Sequence, residues 1–203
     1  MLDVLLAAIT IVVAYFLGTI PSGYLVAKVR GVNIQQVGSG NIGATNVLRA
    51  LGVVPAIIVV ILDPLKGALA TLLPGIVGLG PWVTALAGLA AVLGNDFNVL
   101  LRMKGGKGIA TSIGVFMVID PLTTLMCLVL GIFTILLSRY VSLGSLVGMA
   151  ALPLFVIVQG EYIGPRLLLA AALLGLAVYR HSSNIQRLVA GNERRLGERS
   201  AKG

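Results

Sequence analysis

The sequence predicts an all-α fold, a polytopic membrane bundle of about seven transmembrane helices with the N-terminus outside and the C-terminus cytoplasmic. Three observations predict it. Of 203 residues, 58% are hydrophobic and only 11% charged, where a soluble domain carries about 25% charged residues; the mean hydropathy is +1.03. Several apolar runs approach or exceed the ~20 residues that cross a bilayer. The basic residues lie between and beyond those runs, where the positive-inside rule reads them as cytoplasmic. The net charge of +8 therefore points to orientation and anionic partners rather than to nucleic acid. With aromatic residues at 5%, base-stacking side chains are scarce as well. No linker, low-complexity segment or repeat divides the chain, so one domain over residues 1–203 is expected. The single Cys127 excludes an intrachain disulfide and, inside an apolar run, reads as core.

The first run, residues 4–27, follows Asp3 rather than a basic start and is too long for a signal-peptide core, so it reads as a retained span. Lys28 and Arg30 follow at once and place its end in the cytoplasm. The second run, 52–73, contains Asp63, Pro64 and Lys66. The third, 81–101, carries Asn95, Asp96 and Asn98 near its cytoplasmic end. From 108 to 137 the chain is apolar except at Asp120-Pro121. A single span there would put Arg139 and the basic tail outside, with Arg180, Arg187, Arg194, Arg195, Arg199 and Lys202. Two spans turning at Asp120-Pro121 keep these residues inside, and Pro121 suits a first helical turn. The fourth span is then short. The last two cover 142–158 and 162–179.

This topology brings three polar segments to the cytoplasmic face. The first is G-S-G-N-I-G-A-T-N-V-L-R, residues 38–49. Glycines let successive N–H groups form a concave anion nest, and a helix starting near Gly43 puts Thr45 and Arg49 on one face. The same residues also build ordinary hydrophilic turns. The G-x-G-x-x-G spacing is not a dinucleotide fingerprint, because membrane spans flank it where a βαβ unit is required. The second is K-G-G-K-G-I-A-T, residues 104–111, placed before a helix whose free N–H groups and partial positive charge attract anions. Leu101 and Gly108 stand where a P-loop needs Gly and Ser or Thr. A lysine anchor at the interface is the plainer alternative. The third is H-S-S-N-I-Q-R-L-V-A-G-N-E, residues 181–193. On a helix His181, Asn184 and Leu188 share a face, and Gly191 ends that helix. His181 is the only histidine, and no cysteine cluster exists, so neither a metal nor another cofactor is expected. Asp63 and Lys66, i and i+3 within a span, read as an internal ion pair. Ser39 has no neighbouring base and does not suggest a triad nucleophile.

Together the three segments resemble the bacterial integral-membrane acyl-phosphate:glycerol-3-phosphate acyltransferases, over essentially the whole chain. The first family motif resembles Ser39-Gly40-Asn41, Gly43, Thr45-Asn46 and Arg49. The second resembles Lys104-Gly105-Gly106-Lys107-Gly108 with Ala110-Thr111. The third resembles His181, Asn184-Ile185, Arg187-Leu188, Gly191 and Glu193. Asn95 departs from the Gly-His expected there in many members.

The resemblance implies transfer of a fatty acyl group from acyl-phosphate to the first hydroxyl of glycerol 3-phosphate. The products are lysophosphatidic acid and phosphate, at an early step of phospholipid synthesis in the bacterial inner membrane. The implied partners are the two substrates and membrane lipid, with no nucleic acid. The motif residues Ser39 to Arg49 and Gly105 to Thr111 are expected to bind phosphate. Lys104, His181 and Asn184 are expected in catalysis, with His181 and Asn184 positioning the acceptor. Asp63, Lys66 and Glu193 are expected to be structural. The rival reading is a transporter or channel for phosphate or a phosphorylated metabolite, for which Asp63, Lys66 and Asp96 are the intramembrane polar groups.

Overall fold

The computed structural model describes residues 1–160 and 163–198. Tyr162, placed above in the last span, and Arg199 and Lys202 of the tail lie outside the described residues. Ten α-helices and no strand occur among the described residues. In chain order they are α1 Leu2–Gly18, α2 Ser22–Val29, α3 Ala44–Leu51, α4 Val53–Ile76, α5 Pro81–Asp96, α6 Ile109–Ile119, α7 Pro121–Ser138, α8 Val141–Gln159, α9 Ile163–Arg180 and α10 Ser182–Val189.

Among the described residues, five segments are long and apolar enough to cross a membrane: Leu2–Val29, Val53–Ile76, Pro81–Leu101, Pro121–Ser138 and Val141–Gln159. The helix expected as a short fourth span, α6, has only 11 residues. Its shortness has a visible cause, since Gly108 begins it and Asp120-Pro121 ends it. Asp120 caps the next helix by accepting from the Thr123 N–H at 3.0 Å, and Pro121 occupies that helix's first turn.

The first span is broken rather than continuous. Pro21 interrupts it between α1 and α2, and the freed carbonyls are bonded by side chains of other helices. Asn98 donates to the Thr19 carbonyl at 2.7 Å, and Lys66 donates to the Ile20 carbonyl at 2.9 Å. Within a bilayer such orphan groups must be satisfied by protein, and this requirement explains the buried Lys66. Its ammonium also pairs with Asp63 at 2.9 Å and donates to the Asn95 side-chain oxygen at 2.8 Å. One lysine thus joins the α1–α2 break, α4 and α5.

Packing follows the rule for membrane helices, where small residues let backbones touch. A Cβ added at Gly114 of α6 would stand 1.8 Å from the Pro64 carbonyl oxygen of α4. Separate apolar clusters join α5, α6, α8 and α9 and bind α2 and α3 onto α4. On α7 the residues Val129, Phe133, Leu136 and Leu137 are exposed, as expected of a lipid-facing helix. At the end of α6 remote from Gly108, Arg166 lies 3.6 Å from Asp120, and Gln159 donates to Thr123 at 2.6 Å. These contacts tie α7, α8 and α9 together.

Candidate active site

The three polar segments meet around one cavity of about 950 Å³. The first forms its wall from Ser39 to Arg49, the second from Gly106 to Thr111, and the third from His181 through Glu193.

The first segment builds a rigid turn. Asn46, 3% exposed, donates its amide to the carbonyls of Ile34, Val37 and Asn41 and accepts from the Ser39 N–H at 3.0 Å. Asn41 accepts from the Gly43 N–H at 2.9 Å, and the Gly40 N–H donates to the Val37 carbonyl. Four of the N–H groups expected to form an anion nest are therefore engaged inside the loop, that of Asn41 bonding Ser39. Asn46, expected to touch phosphate, lines the cavity and has its amide committed to the loop. Side chains of Ser39, Thr45 and Arg49 remain on the cavity wall. The helix α3 starts after Gly43, which sets Thr45 and Arg49 one turn apart. Arg49 also donates to the Arg194 carbonyl at 3.4 Å.

The second segment has the opposite character. Among the described residues, the backbone N–H groups of Lys107, Gly108, Ile109, Ala110 and Thr111 have no hydrogen-bond partner. The Thr111 hydroxyl is buried and also unpartnered. Gly108, with φ +74°, turns the chain into α6; a Cβ there would strike Val92 at 2.7 Å and Asp96 at 3.0 Å. Five free N–H groups at a helix start are an arrangement that attracts anions, as the sequence suggested for this segment as well as for the first loop. Gly105 is not part of the wall. It is buried, and a Cβ there would stand 1.9 Å from the Asn95 carbonyl oxygen.

Lys104 is displaced from its expected place. Its side chain is exposed and does not line the cavity, because the chain turns through left-handed conformations at Arg102 and Met103. Lys107 takes the inward position. Burial lowers its pKa to about 8, partly offset by Glu193. Its ammonium donates to the Asn184 side-chain oxygen.

The third segment breaks between α9 and α10 at His181. The ring nitrogen Nδ1 lies 2.8 Å from the Ala177 carbonyl. A carbonyl only accepts, so Nδ1 carries the proton and Nε2 presents a lone pair. Burial, and then the Lys107 charge, lower the His181 pKa to about 4, so the imidazole is neutral at neutral pH. Asn184, 6% exposed, donates to Glu193 at 2.6 Å, which fixes its oxygen toward Lys107. Glu193 also accepts from Arg187 at 2.7 Å and from Ser142 at 3.0 Å. Burial alone would raise the Glu193 pKa, but bonds from Asn184, Arg187 and Ser142 outweigh it, and the net shift is downward. The chain Lys107–Asn184–Glu193–Arg187 therefore links the second and third segments.

Ser142, Arg180 and Asn95 also line the cavity, and sequence reasoning placed none of them among the site residues. Ser142 has no motif around it. Asn95, at the cytoplasmic end of its helix, was a residue that could line the pocket but had no assigned role, and Arg180 was visible only as an orienting charge. Among the described residues no group of three His, Cys, Asp or Glu side chains could hold a metal.

A smaller apolar groove adjoins the cavity and shares Ile109, Ile113, Leu128 and Ser145 with it. It runs between α6, α7 and α8 past Phe116, Ile132 and Met149, with Gly131, Gly144 and Gly148 leaving room.

The chain matches the family described as "Glycerol-3-phosphate acyltransferase" over residues 8–191. It is 45% identical over 192 residues to a glycerol-3-phosphate acyltransferase of Thermus thermophilus, covering 94% of this chain and 96% of the relative. It is also 45% identical over 197 residues to glycerol-3-phosphate acyltransferase 1 of Deinococcus radiodurans, covering 96% and 98%. Among solved structures it resembles the crystal structure of PlsY (YgiH), an integral membrane glycerol 3-phosphate acyltransferase, in its glycerol 3-phosphate form. The TM-score is 0.90 at 41% identity, with 94% of this chain and 96% of that chain covered. A second structure of that protein, the lysophosphatidic acid form, aligns with TM-score 0.88 at 40% identity.

Proposed function

The chain belongs to the glycerol-3-phosphate acyltransferase family, as an integral membrane enzyme, and we propose that its acyl donor is an acyl-phosphate. In this reading the first hydroxyl of glycerol 3-phosphate attacks the acyl carbonyl carbon. A carbon–oxygen ester bond forms as the carbon–oxygen bond to phosphate breaks. The products are lysophosphatidic acid and phosphate, and the hydroxyl proton leaves with the phosphate. The observation that carries the reading is the joining of a cationic, N–H-lined cavity to an apolar groove. An acyl-phosphate has that division within one molecule, an anionic head directly on an acyl chain.

Roles follow from the geometry. Arg49, Lys107 and the free N–H groups of 107–111 hold the two substrate phosphates through charge-assisted bonds. His181, through the Nε2 lone pair, accepts from the second hydroxyl of glycerol 3-phosphate and so holds the first hydroxyl in line for attack. Asn184, locked by Glu193, keeps Lys107 in register. No acyl-enzyme is needed, because the donor is already activated and Ser39 has no base beside it.

The reading extends to a single domain of seven membrane-crossing segments, α6 and α9 included, with this site at the cytoplasmic face of a bacterial inner membrane. The clustering of Lys28, Arg30, Arg139 and Arg180 at the site's end of the helices supports that orientation. Cysteines placed in residues 31–37 of vesicle-embedded protein should react with impermeant reagents from the cytoplasmic side alone; labelling from outside would reverse the topology.

The function itself is tested with purified protein, a long-chain acyl-phosphate and glycerol 3-phosphate. Lysophosphatidic acid and phosphate should appear in equal amounts. Phosphate flux across proteoliposomes without acyl transfer would favour a transporter and end this reading.

A further inference from the structure

We propose that Arg180 is a positioning residue of the second glycine segment, aiming the Lys107 N–H into the cavity. The proposal rests on the reading of that cavity as a phosphate site. The Arg180 guanidinium donates to the Gly106 carbonyl from Nε at 3.0 Å and from Nη2 at 2.8 Å. Nη2 also donates to the Gly105 carbonyl at 3.3 Å. From the other side, the Gly106 N–H donates to the Asn95 carbonyl at 2.9 Å. The Gly105–Gly106 peptide plane is thus held at both edges, and the Gly106–Lys107 plane at its carbonyl edge.

The consequence is geometric. All described peptide bonds are trans, and in a trans peptide the carbonyl and the next N–H point in opposite directions. With the Gly106 carbonyl turned to Arg180, the Lys107 N–H points away from it and starts the run of five free donors. The guanidinium is held in turn, since its carbon lies 5.4 Å from the Phe97 ring centroid, and that ring sits 6.2 Å from Tyr179. Asp96, fully buried, accepts from Asn95 at 3.0 Å and has its other oxygen unpartnered. Its carboxyl oxygens lie beside Gly108 and pack beneath the loop. Arg180 immediately precedes His181, so the same contact sets the second segment in register with the third.

Lysine cannot replace this fork, because a single ammonium lacks the planar set of donors that spans two carbonyls. That separates positioning from direct phosphate binding, in which the charge alone would suffice for much of the affinity. The experiment titrates inorganic phosphate into the full chain in detergent micelles, with 15N-lysine labelling to follow the Lys107 amide. The unsubstituted protein should bind phosphate and shift that amide. Both Arg180→Met and Arg180→Lys should bind about tenfold or more weakly, with the Lys107 amide no longer responding and the melting temperature retained. Near-normal affinity and a normal Lys107 response in Arg180→Lys would overturn the proposal, as would no phosphate response in the unsubstituted protein. Should Arg180→Met fail to fold, Arg180→Lys decides on the same two readouts. An absence of acyl transfer by the unsubstituted protein would strike the functional reading alone, because the phosphate titration judges Arg180 without it.

Discussion

Lys107→Met lowers acyl transfer by about 10²–10³-fold, the cost typical of removing one preorganised donor from a developing charge, while Lys104→Met stays within about twofold, as an exposed substitution does. The two lysines are three residues apart in one motif and are equivalent by composition. Only Lys107 lines the cavity, and only it is held by Asn184. Its lowered pKa, about 8, adds a pH signature. As pH rises through that value the ammonium of the free enzyme loses its charge, so the KM for the phosphate it holds should climb. Lys107→Arg, charged throughout, should flatten that climb. Steady-state kinetics from pH 6.5 to 9.5 on the three variants read both effects. Equal losses from Lys104→Met and Lys107→Met would mean that the inward lysine is misassigned.

His181→Ala lowers transfer by about 10²-fold through loss of alignment, and His181→Gln, which keeps an acceptor near the Nε2 position, recovers part of that loss. The loss in the glutamine variant should appear mainly as a raised KM for glycerol 3-phosphate. A histidine acting as general base contributes about 10²–10⁴-fold to turnover and shows its own pKa in the pH profile. Here the imidazole donates Nδ1–H to Ala177 and is neutral above about pH 4. A group with that pKa is a weak base at neutral pH but a sound acceptor. The pH profiles of wild type and His181→Gln should therefore have the same acidic side. A fall in turnover at saturating substrate, with an acidic limb present in wild type and missing from the glutamine variant, would make His181 the base.

The hydrophobic runs, the breaks at Asp120-Pro121 and Gly43, and the three polar motifs were legible in the chain because each depends on local properties. Apolar length decides what enters a bilayer, an Asp-Pro pair suits a helix start, and glycine-rich polar segments have no place within a span. Residue type and order thereby determined the all-helical membrane fold, the family resemblance and most of the residues around the cavity. What a loop does with its N–H groups is a different kind of quantity. The two glycine segments look alike as sequences. Yet Asn46 and Asn41 close the first upon itself, while Arg180 and Asn95 hold the second open from outside. The partners that decide this come from α5 and α9, and no spacing within residues 104–111 shows them. For the same reason only tertiary structure chose Lys107 over Lys104, gave Glu193 to Asn184, and set Lys66 on a carbonyl freed by Pro21. A buried polar group must find a partner wherever the fold has brought one, and that partner's address is set by packing between helices rather than by the residues on either side.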